Sequence, residues 1–173
     1  LIKEVQANVY MSAHSKKLDF IVNMGEDVPQ VVSSDRMRLF RILTNLLNNA
    51  VKYTDEGSVT LNVGSLCDGK QIYFDVIDTG VGIAKKDFKK IFEPLTRLVN
   101  SHTGRYEGLG LGLSIVDKFV RDLHGRIHLH SRKDHGSEFR VIVPCDWQQA
   151  YNEIQIDSTD DHASEAEESH TDS

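Results

Sequence analysis

RLFRILTNLLNNAVKYT, residues 38–54, reads as one long helix with two unlike sides. On a wheel of about 100° per residue, Asn45, Asn49 and Lys52 fall within roughly 60° of one another, while Leu43, Leu47 and Ala50 point the opposite way. A merely solvated face would more naturally carry Glu and Lys, because Asn is a poor helix former. Asn45, Asn48 and Asn49 therefore cost helix stability, and something must compensate. Asn carbonyl oxygens suit a hard cation and leave the amide nitrogens for phosphate oxygens. Lys52, one turn on, offers a point charge to the same phosphates. An exposed amide face with no ligand is the alternative for this helix alone.

Outward from this helix the chain alternates elements. Ile2 to about His14 reads as a helix end and entry segment, 18–24 as a strand and Val31-Val32 as a short extended stretch. Asp35 caps the long helix, which runs to about Tyr53 and closes in the turn 54–57. Strands follow at 58–66 and 71–78, joined by the hairpin-type turn Cys67-Asp68-Gly69-Lys70. A helix is expected around Lys85 to Phe92, then an aperiodic stretch over 93–109. A second long helix runs from about Gly110 to Leu123, stopped by His124-Gly125, and strands at 126–132 and 137–144 finish the fold. This order argues for an α/β (α+β) two-layer sandwich, its mixed, largely antiparallel sheet covered on one face by helices.

Two further fragments carry chemistry. DTGVGI (78–83) closes a strand. An Asp there can accept a hydrogen bond from an exocyclic amine, and Gly80 and Gly82 let a flat ring approach the backbone. Alone, the same letters also fit a plain turn. In EGLGLGLSIV (107–116), Gly108, Gly110 and Gly112 alternate with Leu109, Leu111 and Leu113 directly before a helix. That places backbone N–H groups and a positive helix end where polyphosphate could sit. The spacing is neither that of a dinucleotide fold nor that of a P-loop. A bland hinge remains the other reading.

Composition limits the rest. The chain has 173 residues, about one domain. From Glu153 onward it holds eight acidic residues and no Lys or Arg, so the segment is expected to be a disordered tail or linker. The remainder has 18 of the 26 acidic residues against 20 basic ones, so the formal charge of −6 belongs to the tail. A nearly neutral domain argues against nucleic acid as a partner. Cys67 and Cys145 have no partner spacing for zinc or a redox pair and read as buried thiols of a reducing compartment. No apolar run nears the roughly 18 residues of a membrane span, so no direct membrane contact and a cytoplasmic location are expected of this segment. The chain opens on Leu1 rather than Met, so a piece of a longer protein is expected, its parent either soluble or membrane-anchored.

The three fragments, in this order and at these separations, resemble the ATP-binding catalytic domain of sensor histidine kinases, in the superfamily shared with gyrase, the MutL repair protein and the heat-shock ATPase chaperone. The resemblance covers about residues 1–145. NLLNNAVKYT is similar to the family's N box, DTGVGI to its adenine-binding glycine box, IFEPLTR (91–97) to its phenylalanine box, GLGLGLSIV to its second glycine box and GSEF (136–139) to its final glycine element. The fold so implied is the Bergerat sandwich, with ATP between the helix layer and a mobile lid at about 93–109. Residues 1–15 would end a helical linker, 16–150 form the catalytic domain and 151–173 the acidic tail.

The resemblance implies that Asn49 coordinates Mg2+, with Asn45 and Lys52 near the phosphates and Tyr53 beside them. Asp78 would bind the adenine amine, with Gly80, Gly82 and Ile83 beside the ring and Ser137 reaching the same pocket. Arg97 and Arg105 would approach the γ-phosphate from the lid. Gly108, Leu109, Gly110, Leu111 and Gly112 would line the phosphate chain. On the same resemblance Asn45, Lys52 and Arg97 would form the catalytic set, with ATP and Mg2+ as cofactors.

Hydrolytic relatives place a Glu one turn before the metal-binding Asn, whereas Asn45, an amide, cannot take a proton. Hydrolysis is thus disfavoured, and the γ-phosphoryl should go to a nucleophile that arrives on its own, such as a neutral imidazole. The resemblance puts that acceptor histidine on a dimerising hairpin upstream of Leu1, for onward transfer to a receiver aspartate, and so implies a homodimeric parent. No histidine here has the family's acceptor context; His14 is followed by Ser-Lys-Lys, and His128, His130 and His135 read as surface residues rather than a metal cluster. Leu95, Glu107 and Leu109 depart from the family pattern. They support the alternative, a non-catalytic ATP-binding regulatory module of the same fold.

Overall fold

The structure, a computed structural model, describes residues 1–66, 69–96 and 110–145. Helix α1 (Ile2–Ser15) sets Val5, Val9 and Ala13 against the core, all at most 1% exposed. Strand β1 (Asp19–Met24) follows, and then helix α2 (Arg36–Tyr53). Asp35 caps α2 as its position demands, accepting the Arg38 amide hydrogen at 2.8 Å. That bond holds the Asp35 carboxyl below the usual carboxylate range. Val31-Val32 form no strand, and Ser33 beside them makes a lone bridge.

Strands β2 (Ser58–Leu66) and β3 (Gln71–Asp78) pair as a hairpin in the register Val59↔Asp78 to Leu66↔Gln71. Gly69 in their connection has a φ of 82°, while Cys67 and Asp68 lie outside the described residues. Helix α3 (Gly112–Asp122) precedes β4 (Arg126–Ser131) and β5 (Ser137–Pro144). The sheet order is β1-β2-β3-β5-β4; β1 runs parallel to β2 and the remaining pairs are antiparallel. This is the expected mixed, largely antiparallel sheet.

Period-two alternation sends Val59, Leu61 and Val63 of β2, Ile72, Phe74 and Val76 of β3, and Phe139, Val141 and Val143 of β5 to one face. Against that face lie Leu39, Ile42, Leu43, Leu46 and Leu47 of α2 with Val116 and Val120 of α3. The expected helix around Lys85 to Phe92 is replaced by two 3₁₀ turns, Lys85–Asp87 and Lys90–Phe92. Ile91 is buried and Phe92 packs partly against the core, but Pro94 follows and cannot continue a helix.

On the opposite face, Arg140 clamps the buried Asp75 through Nε–Oδ1 at 2.6 Å and a second nitrogen–Oδ2 contact at 2.7 Å. The guanidinium also lies 5.0 Å from the Tyr73 ring centroid. Asp75 raises the Arg140 pKa further, so this cation stays charged. Cys145, half-buried at the chain's last described position, donates its thiol to the Gly69 carbonyl at 3.0 Å.

Candidate functional site

A cleft of about 690 Å³, counting the solvent at its mouth, opens between α2 and the ends of β3 and β5. Asn49 and Tyr53 reach it from α2, Asp78 from the end of β3, Gly82 and Ile83 from the loop that follows, and Ser137 from the start of β5. Six residues expected from separate fragments of the sequence thus share one cavity.

Asp78 is 7% exposed and stands directly opposite Ser137 in the β3/β5 register. Burial pushes its carboxyl above the usual carboxylate value; the Gly80 amide, donating to Oδ1 at 2.9 Å, and the Ser137 N–H and hydroxyl pull it partly back. The result is a carboxylate held by the protein yet open toward the cleft, suited to accept from an amine on a ligand. Its neighbours hold the loop in turn. The Ser131 hydroxyl accepts the Ile83 amide hydrogen at 2.8 Å and lies 2.8 Å from the Gly136 carbonyl, to which it can donate.

The two glycines of DTGVGI have reasons beyond approach by a ring. A Cβ on Gly80 would stand 2.2 Å from the Tyr53 carbonyl oxygen, at the end of α2. Gly82 has a φ of 61°, and a Cβ there would lie 2.0 Å from the Arg132 carbonyl oxygen. Both therefore let the loop press against its supports.

At the other side, α3 begins opposite the amide face of α2. A Cβ on Gly112 would sit 3.1 Å from Asn45 Oδ1 and 3.7 Å from Asn49 Nδ2. Leu111 at the N-cap supplies no capping side chain. The first N–H groups of α3 thus begin beside the two amides, a setting that favours an anion. Asn45 donates Nδ2 to the Arg41 carbonyl at 2.8 Å. Lys52 holds Nζ 5.0 Å from the centroid of the Tyr53 ring, which itself lines the cleft. Asn48 turns to solvent and takes no part. Gly110, with a φ of 71°, accepts the Leu95 amide hydrogen at 3.1 Å, so the two ends of the expected lid meet. Arg97, Arg105, Gly108 and Leu109 lie outside the described residues, as do Glu107 and the acidic tail.

Asparagine-bearing helix, buried aspartate and glycine-led helix around one cleft are matched by a family model described as "Histidine kinase-, DNA gyrase B-, and HSP90-like ATPase", over residues 34–146. The chain belongs to this ATPase family. Among similar family members is the autoinducer 2 sensor kinase/phosphatase LuxQ of Vibrio cholerae, 38% identical over 77% of this chain. The signal transduction histidine-protein kinase BarA of Escherichia coli is 37% identical over 84% of it. This chain spans 16% of the length of each. Of solved structures, full-length ShkA in complex with AMPPNP superposes with a TM-score of 0.73 and 30% identity, over 83% of this chain and 29% of that one. The nucleotide-free catalytic domain of histidine kinase ThkA gives 0.69 and 27%, over 83% and 89%.

The cleft is also lined by Val81, Ile91, Thr96, Leu113 and Phe139, which carry no site expectation in the sequence, and by Ala50, which the helical wheel puts on the side away from Asn49. Most are apolar and look like core in a sequence. Ser131 was more legible, since it follows Ile127 and Leu129 on the inward positions of β4 and so puts a hydroxyl on a core face. His128, His130 and His135 are exposed. Among the described residues no helix is long and apolar enough to cross a membrane.

Proposed function

We propose that this domain binds Mg-ATP and passes the γ-phosphoryl group to a histidine on a separate domain of its parent protein, for onward transfer to a receiver aspartate. The observation that carries this is the meeting of Asn49 and Asp78 in one cleft, from a helix and a strand far apart in sequence. Asp78 accepts the adenine amine, and Ser137 supports it from β5. Gly80, Gly82 and Ile83 lie beside the ring.

The donor chemistry fits a hard cation: Asn49 offers a neutral oxygen, and the start of α3 lies beside Asn45 and Asn49 for phosphate. Bound Mg2+ would neutralise phosphate charge. Lys52, with Arg97 and Arg105, adds positive charge around the γ-phosphate, and the Gly110 and Gly112 amides receive the phosphate chain. Asn45 cannot act as a base, and one of its two Nδ2 hydrogens goes to the Arg41 carbonyl, leaving the other for phosphate. Water is therefore not activated by this residue, which favours transfer over hydrolysis. In this reading the parent is a homodimer and works in the cytoplasm.

The test is incubation of this domain with labelled ATP, Mg2+ and the phosphoacceptor hairpin of its parent. Label on the hairpin histidine is the expected result. Nucleotide binding without label would favour a regulatory module, and no magnesium-dependent ATP uptake by the folded domain would end the proposal.

A further inference from the structure

Each of the last four carbonyls of α2 has a partner from outside the helical ladder. Ala50 O accepts from the Thr54 hydroxyl at 2.7 Å. Val51 O and Lys52 O accept from the ammonium of Lys16 at 2.8 and 2.9 Å, and Tyr53 O accepts the Val81 amide hydrogen at 3.1 Å. Lys16 uses its third donor on Thr54 O at 3.0 Å, with Asp55 3.8 Å away. A single side chain from the α1–β1 junction thus takes two of the last four carbonyls, and that of the C-cap Thr54, at the end of the helix that carries Asn49, Lys52 and Tyr53.

The ammonium is held in place from behind. Leu18 donates its amide to Ala13 O at 3.0 Å and Lys17 to His14 O at 2.9 Å, with Lys17 at a φ of 58°. This double closure ends α1 and fixes the backbone of Lys16. Upstream, Val5, Val9 and Ala13 lock α1 into the core. On the far side, the Tyr53 carbonyl meets both the Val81 amide and the Gly80 backbone of the loop after Asp78. One continuous chain of contacts runs from α1 through Lys16 and the end of α2 to the adenine side of the cleft.

We infer that Lys16 is a positioning residue for the nucleotide site, through which the seat of α1 sets the geometry of Lys52, Tyr53 and the loop 79–83. The inference rests on the ATP reading above for the ligand, but not for the mechanical link. A cation at a helix C-terminus also offsets the helix dipole, so the neutral substitution removes donors and charge together.

The test is Lys16→Met in the full chain, with three measurements: ATP affinity in the presence of Mg2+ by calorimetry, hydrogen exchange at the Val81 amide without nucleotide, and thermal melting. The expected result is a folded protein with ATP binding about tenfold weaker, as when a supporting contact outside a ligand shell is lost. Val81, which does not touch Lys16, should exchange faster, while Phe74 and Val141 in the sheet centre keep their rates. Lys16→Arg, which retains several donors and the charge, should restore most of the affinity. If Lys16→Met binds ATP within about twofold of the unsubstituted chain and Val81 exchange is unchanged, a purely structural role is left and the inference is overturned. If the unsubstituted chain itself takes up no ATP, the functional proposal fails, and Val81 exchange alone still decides the link. Should Lys16→Met not fold, Lys16→Gln takes the same readings.

Discussion

Asp78 and Ser137 face one another across β3 and β5, and that pairing keeps a desolvated carboxylate at the mouth of a cleft. Function and stability oppose each other at this residue. Burial disfavours the ionised form, so the folded-state pKa is raised above the unfolded value. The stability linked to protonated Asp78 is present at low pH and is lost as pH rises through the raised pKa. Ligand binding runs the other way, because the ionised carboxylate is the better acceptor for an amine. Asp78→Asn should therefore melt no lower than the unsubstituted domain at neutral pH, yet bind ATP about 30-fold more weakly, or about 2 kcal/mol. Calorimetry beside thermal melting checks both halves, and as pH is lowered the ATP affinity of the unsubstituted domain should begin to drop at a higher pH than an ordinary carboxylate would cause.

Asn49 is predicted to carry the metal dependence. Asn49→Ala should reduce ATP affinity in Mg2+ by about tenfold or more while leaving adenosine binding nearly unchanged, since Asp78 and the loop 79–83 are untouched. Titrations with and without Mg2+ decide it. Equal losses for ATP and adenosine would place Asn49 on the wrong side of the ligand.

Gly82→Ala asks a residue with a φ of 61° to hold a methyl 2.0 Å from the Arg132 carbonyl oxygen. A cost of about 2 kcal/mol or more is expected, seen as a lower melting temperature. The same change at Gly80 strikes the Tyr53 carbonyl and should additionally loosen the Val81 hydrogen bond.

Arg140→Ala would strand the Asp75 carboxylate, whose side chain is 5% exposed while that of Arg140 is 44% exposed. Losing one partner of a fully buried pair costs about 3–5 kcal/mol; water reaching the vacated guanidinium site lowers the expectation here to about 2 kcal/mol. Asp75→Asn combined with Arg140→Gln should recover part of it. Both residues lie on the sheet face away from the cleft, so ATP affinity of the folded fraction should not change.

The sandwich was legible because it depends on local rules, and so were Asn49, Asp78 and Gly82 of the cleft, whereas Tyr53, Ile83 and Ser137 were expected only through the family resemblance. Helix periodicity put Asn45, Asn49 and Lys52 on one side of 38–54, strand alternation sorted β2, β3 and β5, and Asp35 announced the start of α2 by its capping chemistry. The region 85–92 misled: its Phe88, Ile91 and Phe92 are spaced as a helix would space them, yet it folds as two 3₁₀ turns with Pro94 just beyond. Lys16 gave no signal at all, being one of two adjacent lysines in a polar junction.

Left to itself, the order of residues determined which segments are helical or extended, which of their sides are apolar, and which residue types could meet a cation, an anion or an amine, since all of these follow from spacing along a regular backbone. Tertiary structure alone decided that Asp78 is desolvated opposite Ser137, that α3 starts against Asn45 and Asn49, and that Lys16 closes the end of a helix 35 residues away. Those relationships depend on how sheet register and helix packing place distant atoms within a hydrogen bond's reach, and no local pattern encodes such distances.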